Sequence, residues 1–128
     1  MIVGLGTDII EVARIARAYD RFGERFLLKV YTPEEIQYCL RATHRGRVVE
    51  RLAGRFAAKE AVMNSLGRGP GKVPWRSVAI LPQRSGPPKV VLNGPAARRA
   101  AELGANQVLV SISHQAQWAT ATAIAQNI

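Results

Sequence analysis

The sequence predicts an α+β fold, a largely antiparallel sheet packed with a long helix, and three stretches carry that prediction. Ile2-Val3-Gly4-Leu5-Gly6-Thr7-Asp8-Ile9-Ile10-Glu11-Val12 alternates and is rich in β-branched residues, as a half-buried strand is. Leu52 to Met63 reads as a helix, with Leu52, Phe56, Glu60 and Met63 on one side at about 100° per residue. Val108 to Ser113 and Trp118 to Ile124 read as a closing pair of strands.

The elements between them follow from local signals. Arg14 to Lys29 is helical in parts and interrupted at Gly23. Thr32-Pro33-Glu34-Glu35 supplies an N-cap, a proline at the first helical position and a capping-box glutamate, so a helix is expected from Pro33 to near Ala42. The long helix around Glu60 ends at Gly67, where Gly67-Arg68-Gly69-Pro70-Gly71-Lys72-Val73-Pro74 forms the one clear loop. Ser77 to Leu81 and Lys89 to Leu92 read as strands joined by a turn at Arg84-Ser85-Gly86-Pro87, and Pro95 to Leu103 as an Ala-rich helix.

A chain of 128 residues is expected to form one domain, residues 1–128, burying roughly two thirds of its unfolded surface. Cys39 is the only cysteine, so no internal disulfide forms. No apolar run approaches the ~20 residues of a membrane span, and the N-terminus lacks the pattern of a signal peptide. A cytoplasmic protein is expected. Eighteen Lys and Arg against nine Asp and Glu give a formal charge of +9, which attracts nucleic acid, an anionic membrane surface or an acidic protein alike.

Two acids stand in apolar settings. Glu60 lies in a helical stripe with Leu52, Phe56 and Met63, and Asp8 shares a strand face with Ile2, Gly4, Gly6 and Ile10. The glycines remove bulk beside Asp8, which allows another chain or a ligand to approach. Burying an unpaired carboxylate costs several kcal/mol, so each acid needs a partner. One Asp and one Glu without a supporting Cys or His cluster suit a hard cation such as Mg²⁺, which fills its shell with water and substrate phosphate oxygens. The alternative is two structural acids, with Glu60 salt-bridged to an arginine such as Arg51 or Arg55. Arg14, Arg17, Arg21 and Arg25 recur at three, four and four residues, a spacing that aligns them on one face of a continuous helix. With Phe22 and Phe26 interleaved, that patch suits RNA as well as protein, so a small basic nucleic-acid-binding module is the rival reading.

Gly4-Leu5-Gly6-Thr7-Asp8-Ile9-Ile10-Glu11, Arg55-Phe56-Ala57-Ala58-Lys59-Glu60-Ala61 and Ser111-Ile112-Ser113-His114 occur in an order and at a length that resemble bacterial holo-acyl-carrier-protein synthase, the small class of 4′-phosphopantetheinyl transferase. The resemblance implies that fold, and an activity in which 4′-phosphopantetheine moves from coenzyme A to a serine of apo acyl carrier protein, releasing adenosine 3′,5′-bisphosphate. It implies Mg²⁺ held by Asp8 and Glu60 against the diphosphate, with Lys59, on spacing alone a solvated residue, stabilising charge at the reacting phosphate. It places coenzyme A against Phe56, which stands where the family usually has Trp, against Gly67, Gly69 and Gly71, and against Ser111, Ser113 and His114. Gly86-Pro87-Pro88-Lys89 stands where the family usually has Gly-Lys-Pro, making Lys89 the candidate for that lysine's phosphate contact. Arg14, Arg17, Arg21, Arg25, Phe26 and Lys29 are implied to dock the acidic recognition helix of the carrier protein. A homotrimer with sites between subunits is implied too, the glycine-bearing face of Asp8 meeting a neighbour.

Overall fold

The structure is a computed structural model that describes residues 1–69 and 72–128. Strand β1 (Ile2–Glu11) runs directly into helix α1 (Val12–Phe22), which breaks at Gly23 (φ +55°) into α2 (Glu24–Val30). Helix α3 (Pro33–Leu40) starts with the expected capping box. The Thr32 hydroxyl accepts from the Glu35 N–H, and the Glu35 carboxylate accepts from the Thr32 N–H at 2.7 Å. Helix α4 (Arg45–Ser65) is capped by the His44 ring, which accepts from the Arg47 N–H. A 3₁₀ turn (Trp75–Ser77) leads to the hairpin β2 (Val78–Leu81) and β3 (Lys89–Leu92). Helix α5 (Gly94–Leu103), β4 (Gln107–His114) and β5 (Trp118–Gln126) complete the chain.

All strand pairings are antiparallel, but they make two sheets, β1-β5-β4 and β2-β3. The strand expected to reach Val12 stops at Glu11, because Val12 opens α1. Helix α4 lies across the three-stranded sheet and is buried on nearly every side from Val48 to Met63, so it is the core rather than an amphipathic cover.

Gly4 and Gly6 make that packing possible. A Cβ at Gly6 would fall inside the carbonyl oxygen of Ala61, and one at Gly4 inside that of Ser65. The glycine face of β1 therefore meets α4 of its own chain, which corrects the expectation that a neighbour would cover it. The open face of the same sheet carries exposed Leu5, Ile9, Leu109 and Trp118.

The C-terminus of α4 explains another glycine. Gly67 (φ +72°) donates to the Asn64 carbonyl and Arg68 to the Met63 carbonyl, both at 3.0 Å, the paired bonds of a Schellman cap. Gly6→Ala should lower the free energy of unfolding by about 3 kcal/mol, since a backbone carbonyl in the core cannot step aside as a side chain does. Urea unfolding followed by circular dichroism measures it.

Candidate active site

The alternation of β1 turns Asp8, with buried Gly6 and Ile10, toward α4, and α4 turns Glu60 toward β1. From Leu52 to Met63 every residue of α4 is buried except Glu60, which is half-buried. The carboxyl therefore sits at the seam where the core helix reaches solvent. Burial pushes Glu60 up, and the neighbouring charge and hydrogen bond of Asp8 add to it, giving a pKa of about 7; the Arg14 guanidinium works the other way. Burial raises Asp8 as well, offset by hydrogen bonds from Glu60 and the Ile9 backbone and by Arg14. Two carboxyls held this close share a proton near neutral pH. Among the described residues no third His, Cys, Asp or Glu joins them. Two oxygen ligands that repel each other, open on one side to solvent, fit a hard divalent cation that draws its remaining ligands from water and substrate. Neither arginine offered as a salt-bridge partner reaches Glu60: Arg51 donates to the Tyr38 carbonyl at 2.8 Å, and the Arg55 guanidinium lies over the Tyr38 ring at 4.3 Å.

A second polar pocket, of about 180 Å³, lies at the other side of the sheet, lined by Tyr38, Arg55, Pro88, Ile112 and His114 among others. Asp8 is on β1 and His114 on β4, with β5 between, so their backbones are separated by about two strand spacings, roughly 10 Å. Gly54 of α4 admits the His114 ring, whose Nδ1 is 3.5 Å from Glu50 Oε1. Arg55 is buried, yet its Nε has no hydrogen-bond partner. Sequence reading offered Arg55 only as a possible salt-bridge partner for Glu60; its place four residues after Arg51 on one helix face was the available signal, and both guanidinium groups lie 4.3 Å from the Tyr38 ring.

The other residues expected at the coenzyme A site have varied surroundings. Lys59 is wholly buried, not solvated: it pairs with Glu35 Oε1 at 2.8 Å and donates to the Trp75 and Val78 carbonyls, so its three protons are spent away from Glu60. Phe56 is stacked on Trp75, centroids 4.7 Å apart, inside the core. Ser111 and Ser113 point to the open sheet face and His114 to the α4 face, so the pleat separates them. Lys89 is exposed at the start of β3, beside a groove of about 550 Å³ between the hairpin, α5 and β4. Gly67 is accounted for by the helix cap, Gly69 faces open space, and Gly71 lies outside the described residues.

The basic row is divided by the break at Gly23, so it is not one continuous face. Arg14, Arg17 and Arg21 ride on α1, and Arg25, Phe26 and Lys29 on α2. The break folds the two groups around Phe22: Arg21 and Arg25 lie 5.2 and 5.8 Å from its ring centre. Phe22, Arg25, Phe26 and Lys29 then border an apolar cavity of about 310 Å³. Arg14 acts on both site acids, which ties the basic surface to the carboxyl pair.

An α+β chain of this topology has known counterparts. It belongs to the 4′-phosphopantetheinyl transferase superfamily, whose family model matches residues 4–123. Within that superfamily its relatives are holo-[acyl-carrier-protein] synthases. It is 44% identical to the one from Koribacter versatilis over 99% of this chain and 100% of that protein. The crystal structure of the synthase from Neisseria meningitidis matches with TM-score 0.85 at 36% identity, covering 99% of this chain and 100% of that one. The synthase from Bacillus anthracis, solved in complex with CoA (3′,5′-ADP), matches with TM-score 0.82 at 31% identity, covering 100% and 99%.

The raised acid gives a signed pH effect. Between the ordinary Glu value of 4.5 and about 7 the folded protein holds a proton that the unfolded chain has released. The metal-free fold is therefore stabilised at low pH and loses that contribution as pH rises through 7. Asp8→Asn removes the repelling charge, so it should lower the Glu60 pKa and flatten the pH dependence. Carbon-detected NMR titration of Glu60 and denaturation at pH 5 and pH 8 check both.

Proposed function

We propose that the chain, as one domain, transfers 4′-phosphopantetheine from coenzyme A to a serine of apo acyl carrier protein and releases adenosine 3′,5′-bisphosphate. The observation that carries this reading is the Asp8–Glu60 pair, two half-buried carboxyls brought together from different elements and flanked by Arg14. The relatives are named for this activity and one is solved with coenzyme A products. The carrier serine oxygen bonds to the phosphorus bearing pantetheine, the bond to the bridging oxygen of the nucleotide breaks, and the serine proton leaves. Mg²⁺ held by Asp8 and Glu60 would supply charge neutralisation on the diphosphate oxygens. Asp8 and Glu60 orient the diphosphate end of coenzyme A. Arg14 adds a positive group beside it. Glu60, near neutral in pKa before ligands arrive, is the side chain placed to take a proton.

Carrier binding is assigned to Arg14, Arg17, Arg21, Arg25, Phe26 and Lys29, where Arg25 and Lys29 border an apolar cavity and Arg21 lies over Phe22 at its wall, a setting suited to an acidic amphipathic helix. The pocket of Arg55 and His114 is assigned to the anionic parts of coenzyme A. Within one chain it lies at the far side of the sheet from the acid pair. That separation and the exposed Leu5, Ile9, Leu109 and Trp118 support a homotrimer in which one chain's pocket completes a neighbour's acid pair. A cytoplasmic location is supported by a single, buried Cys39, while among the described residues no helix is long and apolar enough to cross a membrane.

Mass spectrometry of an apo carrier protein after incubation with coenzyme A and Mg²⁺ tests the activity, and a serine that gains no phosphopantetheine would refute it. Asp8→Asn or Glu60→Gln should slow transfer by roughly a hundredfold or more with the fold retained, and chelation should do the same to the wild type. The docking assignment has its own test. Arg21→Glu with Arg25→Glu should sharply weaken carrier binding and barely change coenzyme A binding in parallel titrations. Wild-type carrier binding should also weaken as salt is raised to 0.15 M, where screening shortens to about 8 Å.

A further inference from the structure

Lys59 and Glu35 form an ion pair in the core, each side chain 0% exposed, remote from any solvent. Such a pair is a weak source of stability, because desolvation of both charges offsets their attraction, and apolar residues of the same size often serve the fold as well. The best-attested use of a buried polar pair is to select one packing among several close alternatives. Helix α4 presents that ambiguity. Leu52, Phe56, Val62 and Met63 fill the core from other faces of the helix, but Ala57, Ala58 and Ala61, the small residues nearest Glu60 and all 0% exposed, present shallow ridges that by themselves fix the local azimuth weakly. The carbonyls of Ala61 and Ser65 lie against glycines of β1, a contact that sets distance but engages no side chain.

Lys59 supplies a directional polar contact next to Glu60. Its ammonium is held by the Glu35 carboxylate at 2.8 Å, by the Trp75 carbonyl at 3.0 Å and by the Val78 carbonyl, three acceptors from three elements. Glu35 is itself fixed from both oxygens: Oε1 accepts from the Thr32 N–H and Oε2 from the Ile80 N–H, each at 2.7 Å. The next residue along the helix is Glu60, about 100° around the axis. Locking the azimuth of Lys59 therefore locks the direction in which Glu60 leaves the helix toward Asp8. With a helix about 10–12 Å across, a turn of some 10° moves a side-chain end by roughly 1 Å, a displacement large enough to spoil a two-carboxylate site.

We infer that Glu35, acting through Lys59, is a positioning residue for the Glu60 carboxyl, so that the Glu35–Lys59 pair in the core sets the geometry of the cation site at the surface. This rests on the reading of Asp8 and Glu60 as a divalent-cation site, and the test separates the two.

Mn²⁺ is the probe, titrated into the full-length protein and followed by electron paramagnetic resonance at a temperature well below each variant's melting point, with transfer kinetics alongside. Glu35→Gln keeps the shape and removes the charge. It should raise the Mn²⁺ dissociation constant by roughly 10–100-fold and lower kcat more than it raises KM for coenzyme A. Thr32→Ala, which removes only the hydroxyl of the capping box, should lower the melting temperature and leave Mn²⁺ affinity at the wild-type value. Wild type that binds no Mn²⁺ would overturn the site reading and this inference together. Wild-type binding matched by Glu35→Gln, or equal weakening in Thr32→Ala, would overturn the inference alone. If Glu35→Gln does not fold, Glu35→Asp, which keeps the charge but shortens the reach, should show the same loss of affinity; failure of both to fold would reduce the pair to a folding requirement and overturn the inference.

Discussion

The close approach of β1 to α4 is the constraint on which the rest of the structure hangs. Two carbonyl oxygens of the helix occupy the space where side chains of β1 would stand, and only Gly4 and Gly6 leave it free. Without that approach Asp8 would stand farther from the helix and from Glu60. β1 ends at Glu11, and the chain turns at Val12 directly into the basic helices, carrying Arg14 to the edge of the acid pair. One backbone fit thus links the acid pair to the basic face.

Two carboxylates of α3 and α4 have opposite fates. Glu35 lies in the core with Lys59 and backbone N–H groups around it, so its charge is met within the chain. Glu60 has another acid for a neighbour, and the chain meets that repulsion with a shared proton and the charge of Arg14. The first arrangement is complete, and the second is finished only by something brought in. Adjacent positions on one helix therefore divide the labour, Lys59 tying α4 inward and Glu60 facing Asp8.

Much of this was legible in the sequence. Period-two alternation placed Asp8 on the same face as its glycines, the Thr32–Glu35 capping box appeared as read, and the β3 limits of Lys89 and Leu92 match those expected. Glu60 stood out for its apolar company, although α4 is buried almost all round and the carboxyl lies at its one open seam. Local spacing carries no record of what crosses the chain. It could not reveal that Lys59 meets Glu35, that Phe56 stacks on Trp75, or that Arg55 lies buried beside His114, since each contact joins residues from separate elements. The pleat of β4 was readable in principle: alternation puts Ser111 and Ser113 on the face opposite His114.

The central claim is that Asp8 and Glu60 form one electrostatic unit that a divalent cation completes. Isothermal titration of the full-length protein with Mg²⁺ at pH 6.5, repeated in buffers of different ionisation enthalpy, measures it through the protons released per ion bound. With the Glu60 carboxyl titrating at about 7, the wild type should release a substantial fraction of a proton per Mg²⁺, and Glu60→Gln should release almost none while binding far more weakly. Mg²⁺ binding that releases no proton, or that survives unchanged in Glu60→Gln, would contradict the account.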